Sequence, residues 1–248
     1  MEETESFLPT TNPSFMSGHQ IGVNVLTWNC RGVLNPCFRR ALYDLLQINN
    51  PSILILTETR LGGARAADLA KPFPFDGFLC SQTIGFAGGI WILWKTDMVE
   101  IKHMCSTEQE IHTSVKVFGS NSTWLLSAIY ASPRRSERRM LWQNLSIVAG
   151  LHSLPWVMVG DFNDITSSEE KWGGNRPNAS RIAKYCDCMN SCNMIDMGFS
   201  GPKYTWTNGQ PVNSLIMQRL DRAWVNPEWR TLFPEAVVSH LTRTHSDH

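Results

Sequence analysis

Strand-like runs along this 248-residue chain keep ending on residues able to bind metal or phosphate. Asn29 follows "VLTW", Glu58 follows "LILT", Tyr130 closes "LLSAIY", Asp161 and Asn163 follow "VMVG", and Asp221 lies within "MQRLDRAWV"; Asp247 and His248 come after "VVSHLTRTH". Loops at one edge of a rigid sheet are where catalytic groups are usually held. A hard cation such as Mg²⁺, or Mn²⁺ in its place, takes oxygen ligands: one or two carboxylates plus phosphate oxygens, a set that Glu58 with Asp247 could supply. Hydrolysing a phosphodiester further requires an activated water, a group for the leaving oxygen, and donors on the non-bridging oxygens. His248 oriented by Asp221, Asp161 held by Asn29, and the donors Asn163 and Tyr130 would fill those roles. No GxSxG, P-loop or HExxH motif offers a competing chemistry.

Singly, each residue has a plainer explanation. Asn29 suits an Asx turn, and Glu58 a solvated carboxylate at a strand end. Tyr130 suits packing, Asp221 a surface ion pair with Arg219 or Arg222, and His248 a frayed terminus. A Gly-Asp turn accounts for Gly160 and Asp161 but not for Asn163 two residues on, where strand-like alternation aims it beside Asp161.

The elements that must position these groups follow from periodicity. "IGVNVLTW" and "SILILTETR" read as buried strands flanking a helix, with Asn35 as N-cap, Pro36 at its first position, Phe38, Leu42, Leu45 and Leu46 on its stripe, and Asn49-Asn50-Pro51 as its stop. Between Phe78 and Tyr130, "GGIWILWK", "MVEIKHM", "HTSVKVF" and "TWLLSAIY" suggest a meander. A helix over 136–149 leads to the strand "WVMVG", and another is expected over 180–190. "YTWTNG" carries a turn signal, and "IMQRLDRAWV" and "EAVVSHL" read as closing strands. Many strands with three spaced helices fit two packed sheets covered by helices.

Composition sets the wider frame. Lys plus Arg equals Asp plus Glu at 22 each, so polyanion binding must rest on local clusters. One such cluster is Arg134, Arg135, Arg138 and Arg139, which reads equally as a solvated helix face or as phosphate contacts. Seven cysteines without a CxxC pair point to a reduced, intracellular chain, and the triplet Cys186, Cys188 and Cys192 reads as packing. Residues 1–20 are acidic and polar and read as a flexible leader; no apolar run approaches the roughly 18 residues of a membrane span.

The motifs "TWNCRG", "ILTETRL", "IYASP", "VGDFND", "QRLDRAWV" and "SDH", in this order, resemble the endonuclease/exonuclease/phosphatase superfamily with the DNase I-like fold. The finer wording "WNCRG", "EEKWGG", "YTWTN" and "RLDRAWVN" is similar to the apurinic-type endonuclease domain of plant non-LTR (LINE) retrotransposons. The resemblance implies an α/β four-layer sandwich: two central mixed sheets flanked by helices. It implies a Mg²⁺-dependent enzyme of the nucleus or cytoplasm that nicks DNA to leave a 3′-hydroxyl, from which an attached reverse transcriptase primes. By motif position Glu58 would bind the metal with Asn29 and Asp247 close by. Asp221 and His248 would form the carboxylate-imidazole pair, Asp161 and Asn163 would serve the nucleophile or leaving group, and Tyr130 would serve the phosphate.

Two departures stand out. Arg31 occupies a place that is acidic in the DNA-repair members, which removes a metal ligand and adds a phosphate-pairing cation. The domain, 21–248, is also expected to lack the apolar strand that follows the SDH motif in the family and pins the histidine. The hairpin carrying Trp206 falls where retrotransposon endonucleases probe DNA shape; Trp206 is read as packing first and as a DNA contact second. The same fold also serves phosphoesterases of inositol phosphates or phospholipids, and a truncated, inactive relic is the non-enzymatic alternative.

Overall fold

The computed structural model describes residues 22–82 and 88–242. The expected leader and the motif residues Asp247 and His248 lie outside the described residues. Strand β1, Val25–Asn29, pairs in parallel with β2, Ile53–Thr57, so that Asn29 stands opposite Thr57. The helix between them, α1, runs Phe38–Asn49 and is capped at Cys37 rather than at Asn35. Asn35 instead closes a turn just before it, accepting from the Cys37 amide at 3.0 Å, because an Asn side chain readily bonds its own backbone two residues on. At the other end Asn50 adopts φ 40° and donates to Leu46 O, a left-handed cap ahead of Pro51. Helix α2, Gly63–Ala70, escapes sequence periodicity because only the small residues Ala66 and Ala70 are buried.

The expected meander is divided between two sheets. Strands β3, Gly77–Cys80, and β4, Ile90–Trp94, join the first sheet in the order β1-β2-β4-β3. The others, β5 (Val99–Ser106), β6 (Glu110–Val117) and β7 (Thr123–Tyr130), pair in sequence in the second sheet. Helix α3, Arg135–Leu151, then crosses over so that β8, Trp156–Asp161, lies parallel to β7. With β10 (Ile195–Asp196) and β13 (Asp221–Val225) added, strand order in the second sheet is β10-β13-β8-β7-β6-β5. A third, small sheet of two-residue strands holds β9 (Lys171–Trp172), β11 (Trp206–Thr207) and β12 (Met217–Gln218).

Alternation assigns the faces. Ile53, Ile55, Ile90 and Ile92 of the first sheet meet Val115, Leu126 and Ala128 of the second in one buried cluster. Leu54, Leu56 and Leu93 point the other way, onto Phe38, Leu42 and Ala66 of the first two helices. On the far side, Leu125, Ile129, Trp156 and Met158 pack under Leu141 and Leu145 of α3 and Tyr185 and Met189 of α4, Ala179–Ser191. Helix, sheet, sheet, helix is the four-layer order expected.

Two closing elements differ from expectation. "IMQRLDRAWV" is not one strand: the amides of Leu220 and Asp221 both donate to Thr205 Oγ1 at 3.0 Å, breaking the ladder between β12 and β13, Asp221–Val225. Strand β13 pairs with β8 and with β10, Ile195–Asp196. "EAVVSHL" makes a single bridge, Ser200 to Ser239, and leaves Val237 84% exposed, too little pairing for a strand. A short helix, α5 (Pro227–Leu232), is set by Asn226, which accepts from Trp229 N at 3.0 Å, and by Pro227 in its first turn. No helix among the described residues is long and apolar enough to cross a membrane.

Candidate active site

Strand register brings three of the expected residues into one row. Tyr130 of β7 stands opposite Asp161 of β8, which stands opposite Asp221 of β13. Paired residues in neighbouring strands project from the same face, so the three side chains share one side of the sheet end. Asn29 reaches them from the other sheet: its Nδ2 donates to Asp161 Oδ2 at 3.0 Å, with both residues 1% exposed. This is the pairing of Asn29 with Asp161 that the sequence suggested. The Asn29 Oδ1 accepts from the Arg31 amide at 3.3 Å, the Asx turn that was its plainer alternative, so the residue does both.

Asn163 completes the grip on Asp161. Its backbone N donates to Asp161 Oδ1 at 2.8 Å and its Nδ2 to Asp161 Oδ2 at 3.2 Å and to Ala131 O at 2.8 Å. It does so from φ 47°, a left-handed conformation that Asn tolerates better than most residues. Gly160 makes the turn feasible, since at φ 136° an added Cβ would lie 2.0 Å from Ile129 O. Beneath the turn, Asp164 is 2% exposed and binds Arg138 Nε at 3.5 Å and Arg181 Nε at 2.8 Å, while Arg181 Nη2 donates to Asn163 O at 2.5 Å. Asp164, Arg138 and Arg181 were not singled out by the sequence as site residues. The signal was present in "GDFND", but nothing in spacing tells which arginine will reach an aspartate seventeen or more residues away. Arg138 is thus neither a solvated cation nor a phosphate contact; it is buried, donating also to Ser132 O at 2.6 Å.

Glu58 follows β2 on a tight turn. Glu58 and Arg60 have φ 55° and 57°, and their neighbours Arg31 and Gly32 have φ 51° and 112°. Arg31, Glu58, Arg60 and Asn163 make up four of the six non-glycine residues with positive φ among the described residues, so backbone strain is concentrated at this edge. The Glu58 carboxylate is 12% exposed; Arg60 Nη2 pairs with its Oε1, and Arg31 Nε lies 3.8 Å from its Oε2. That hydrogen bond to Glu58 is the main reason the Arg60 guanidinium is held above its ordinary pKa. Tyr130 lies close by: burial pushes its phenol well up, and the charges of Glu58 and Asp161 push it further. Its hydroxyl is therefore a proton-bearing donor at neutral pH.

The described donors suit a hard cation. Glu58 offers a carboxylate and Asn29 an amide oxygen, and Mg²⁺ characteristically takes one or two protein oxygens and keeps its remaining positions for water and phosphate. Asp247, the second expected carboxylate, and His248 lie outside the described residues, as noted above. No cluster of three or more His, Cys, Asp or Glu groups able to hold a metal forms among the described residues.

Two further expectations resolve differently. Arg219 and Arg222 do not form a surface pair with Asp221: they close a buried ring with Glu170 and Asp196. Trp206 sits half-buried in the small sheet, opposite Gln218, one residue from the Thr205 that fixes the Asp221 amide.

Comparison with known proteins identifies the family and the fold. A family model described as "Endonuclease/Exonuclease/phosphatase family" matches residues 26–248. No curated protein matches in sequence. The endonuclease domain of TRAS1, a telomere-specific non-LTR retrotransposon, superposes with TM-score 0.61 at 15% identity, covering 84% of this chain and 86% of that one. The AP endonuclease LMAP from Leishmania major gives TM-score 0.64 at 16% identity, covering 83% of this chain and 79% of that one. TDP2 of D. rerio, solved with a single-stranded DNA product, gives 0.58 at 16%, covering 82% and 83%. At such identities the superpositions establish the fold alone, and it is the family match over 26–248 that decides membership: this chain belongs to the endonuclease/exonuclease/phosphatase family.

Proposed function

We propose that this chain is a Mg²⁺-dependent phosphodiesterase, with Mn²⁺ able to substitute, that nicks DNA and leaves a 3′-hydroxyl. In this reading it is a retrotransposon endonuclease domain whose product end primes an attached reverse transcriptase. The observation that carries it is the Asp161 carboxylate, held by three N–H donors from Asn29 and Asn163 in a row with Tyr130 and Asp221. A carboxylate fixed at both oxygens is oriented for one trajectory, which suits positioning a water or a leaving oxygen. Tyr130 donates to a non-bridging oxygen as charge builds on it, while the N–H groups of Asn163 are committed to Asp161 and to Ala131 O. By the motif positions, Asp221 would serve with His248 as the carboxylate-imidazole pair, and Glu58, with Asn29 and Asp247, would hold the cation. When bound, the cation neutralises phosphate charge. Arg31, about half exposed, pairs with a flanking phosphate, and Trp206 borders the path of the DNA.

Likeness to a retrotransposon endonuclease domain and to an AP endonuclease supports DNA as the substrate over small phosphodiesters. Supercoiled plasmid and bis-p-nitrophenyl phosphate, each with Mg²⁺ and with EDTA, separate the two. Nicking that EDTA abolishes, with little turnover of the small ester, is the expected result. Turnover of the small ester without nicking points to a small-molecule phosphoesterase; neither activity points to a relic.

A further inference from the structure

We propose that Arg60 guards the Glu58 carboxylate and releases it to a divalent cation only when a phosphate enters the site. The inference rests on the metal-dependent reading above. Glu58 and Arg60 project from one rigid turn: both backbones are left-handed, Thr59 between them is fully buried, and the amides of Thr59 and Arg60 are tied to Gly89 O at 3.1 Å and Gly88 O at 2.8 Å. The two side chains therefore cannot drift apart by backbone motion, and any opening of the pair must be a rotamer change of Arg60.

The path for that change is on the outside. The Glu58 side chain is 12% exposed but that of Arg60 is 45% exposed, so the anion is sheltered and its cation faces solvent. The shaft of Arg60 passes over Gly32, its Cδ 3.5 Å from where a Cβ would stand, and no side chain at that position blocks it. Arg60 Nη2 occupies Oε1 of Glu58, the same lone pairs a hard cation needs, so the two compete for one carboxylate. A phosphate gives the guanidinium fork an acceptor of matching geometry and equal sign, which Glu58 otherwise provides. Phosphate binding thus frees Glu58 for the metal, and by linkage the metal strengthens phosphate binding by the same factor. The free enzyme binds metal weakly, and the metal and substrate assemble together.

The test measures Mn²⁺ binding by the EPR signal of free Mn²⁺, on the full 248-residue chain and on Arg60→Gln and Glu58→Gln, alone and with a phosphorothioate DNA duplex. Thermal melts confirm that each variant is folded. Without DNA, Arg60→Gln is expected to bind Mn²⁺ about tenfold more tightly than the parent, within the usual range of coupling. The duplex should tighten Mn²⁺ binding about tenfold in the parent and leave Arg60→Gln unchanged. Equal Mn²⁺ affinity of the parent and Arg60→Gln, with no effect of the duplex on either, overturns the guarding role while leaving the metal reading intact. Parent-like Mn²⁺ binding by Glu58→Gln with the duplex present removes the metal from Glu58 and overturns both.

Discussion

At the scale of single residues, the site depends on side chains whose hydrogen bonds are already spent on each other. Asp161 accepts from Asn29 and Asn163, and Asn163 is itself fixed by Ala131 O and by Arg181 on its carbonyl. Replacing Asn29 with Ala removes one charge-assisted bond and lets the carboxylate turn. A loss of about 10²-fold in kcat is expected with KM little changed, since a misplaced group of about 1 Å costs that much. Steady-state nicking kinetics check it; a rise in KM at constant kcat would instead assign Asn29 to DNA binding. Tyr130 makes a pH prediction. Its pKa is raised, so the neutral, donating form persists beyond the ordinary phenol value of about 10, and no decline in rate from its ionisation is expected below that pH. Tyr130→Phe should lower the rate evenly across pH 7 to 9 in a pH–rate profile, and a deficit that vanished at the alkaline end would show that the phenol titrates there. The sequence disclosed Asn29, Tyr130, Asp161 and Asn163 because each ends or follows an apolar run, and Asp221 because it lies within the strand-like "MQRLDRAWV". Arg60, Asp164 and Arg181 were illegible, since an arginine on a turn or helix carries no mark of which carboxylate it will meet.

At the scale of elements, the second sheet sets the spacing of the chemistry and its turns tolerate little change. Gly160 cannot accept a side chain: the Cβ would collide with the Ile129 carbonyl and φ 136° is strained for any L residue. Gly160→Ala should cost about 3 to 5 kcal/mol by denaturant melts, in the exceptional range for one substitution; a loss under about 1 kcal/mol would mean that β7 and β8 can shift apart. The ring of Arg219, Arg222, Glu170 and Asp196 ties the small sheet and β10 to β13. Arg222→Leu leaves Glu170 and Asp196 to share Arg219 alone and should cost about 3 kcal/mol, the low end for breaking a buried pair. Burial raises the Glu170 and Asp196 pKa values, but the arginines outweigh it and the net shift is downward. Carboxylates depressed in the folded state stabilise it above their unfolded values near 4 and lose that contribution as pH falls through the folded ones. Acid melts should therefore show a transition below pH 4 in the parent that is weaker in Arg222→Leu. The long strands were legible from short apolar runs such as "ILIL" and "IWILW", and three of the helices from their apolar stripes. Two-residue strands, the alanine-rich α2 and the break at Leu220 were not, because they are fixed by tertiary partners such as Thr205 rather than by local pattern.

For the whole molecule, two sheets meet so that one supplies Asn29 and Glu58 and the other Tyr130, Asp161 and Asp221. Neither sheet alone holds the proposed set, so the proposed chemistry requires the closed sandwich. With a formal net charge of zero, the proposed DNA binding rests on local arginines, and affinity should fall with salt by the small slope of a few phosphate contacts. The central claim is that Asp161, gripped from both sheets, is the centre of a phosphodiesterase site. Its most direct test is the initial rate of Mg²⁺-dependent plasmid nicking by the parent and by Asp161→Asn, an isosteric change, with both proteins matched in thermal stability. The expected result is a rate loss of about 10³-fold or more in Asp161→Asn; nicking by Asp161→Asn at the parent rate would contradict the account.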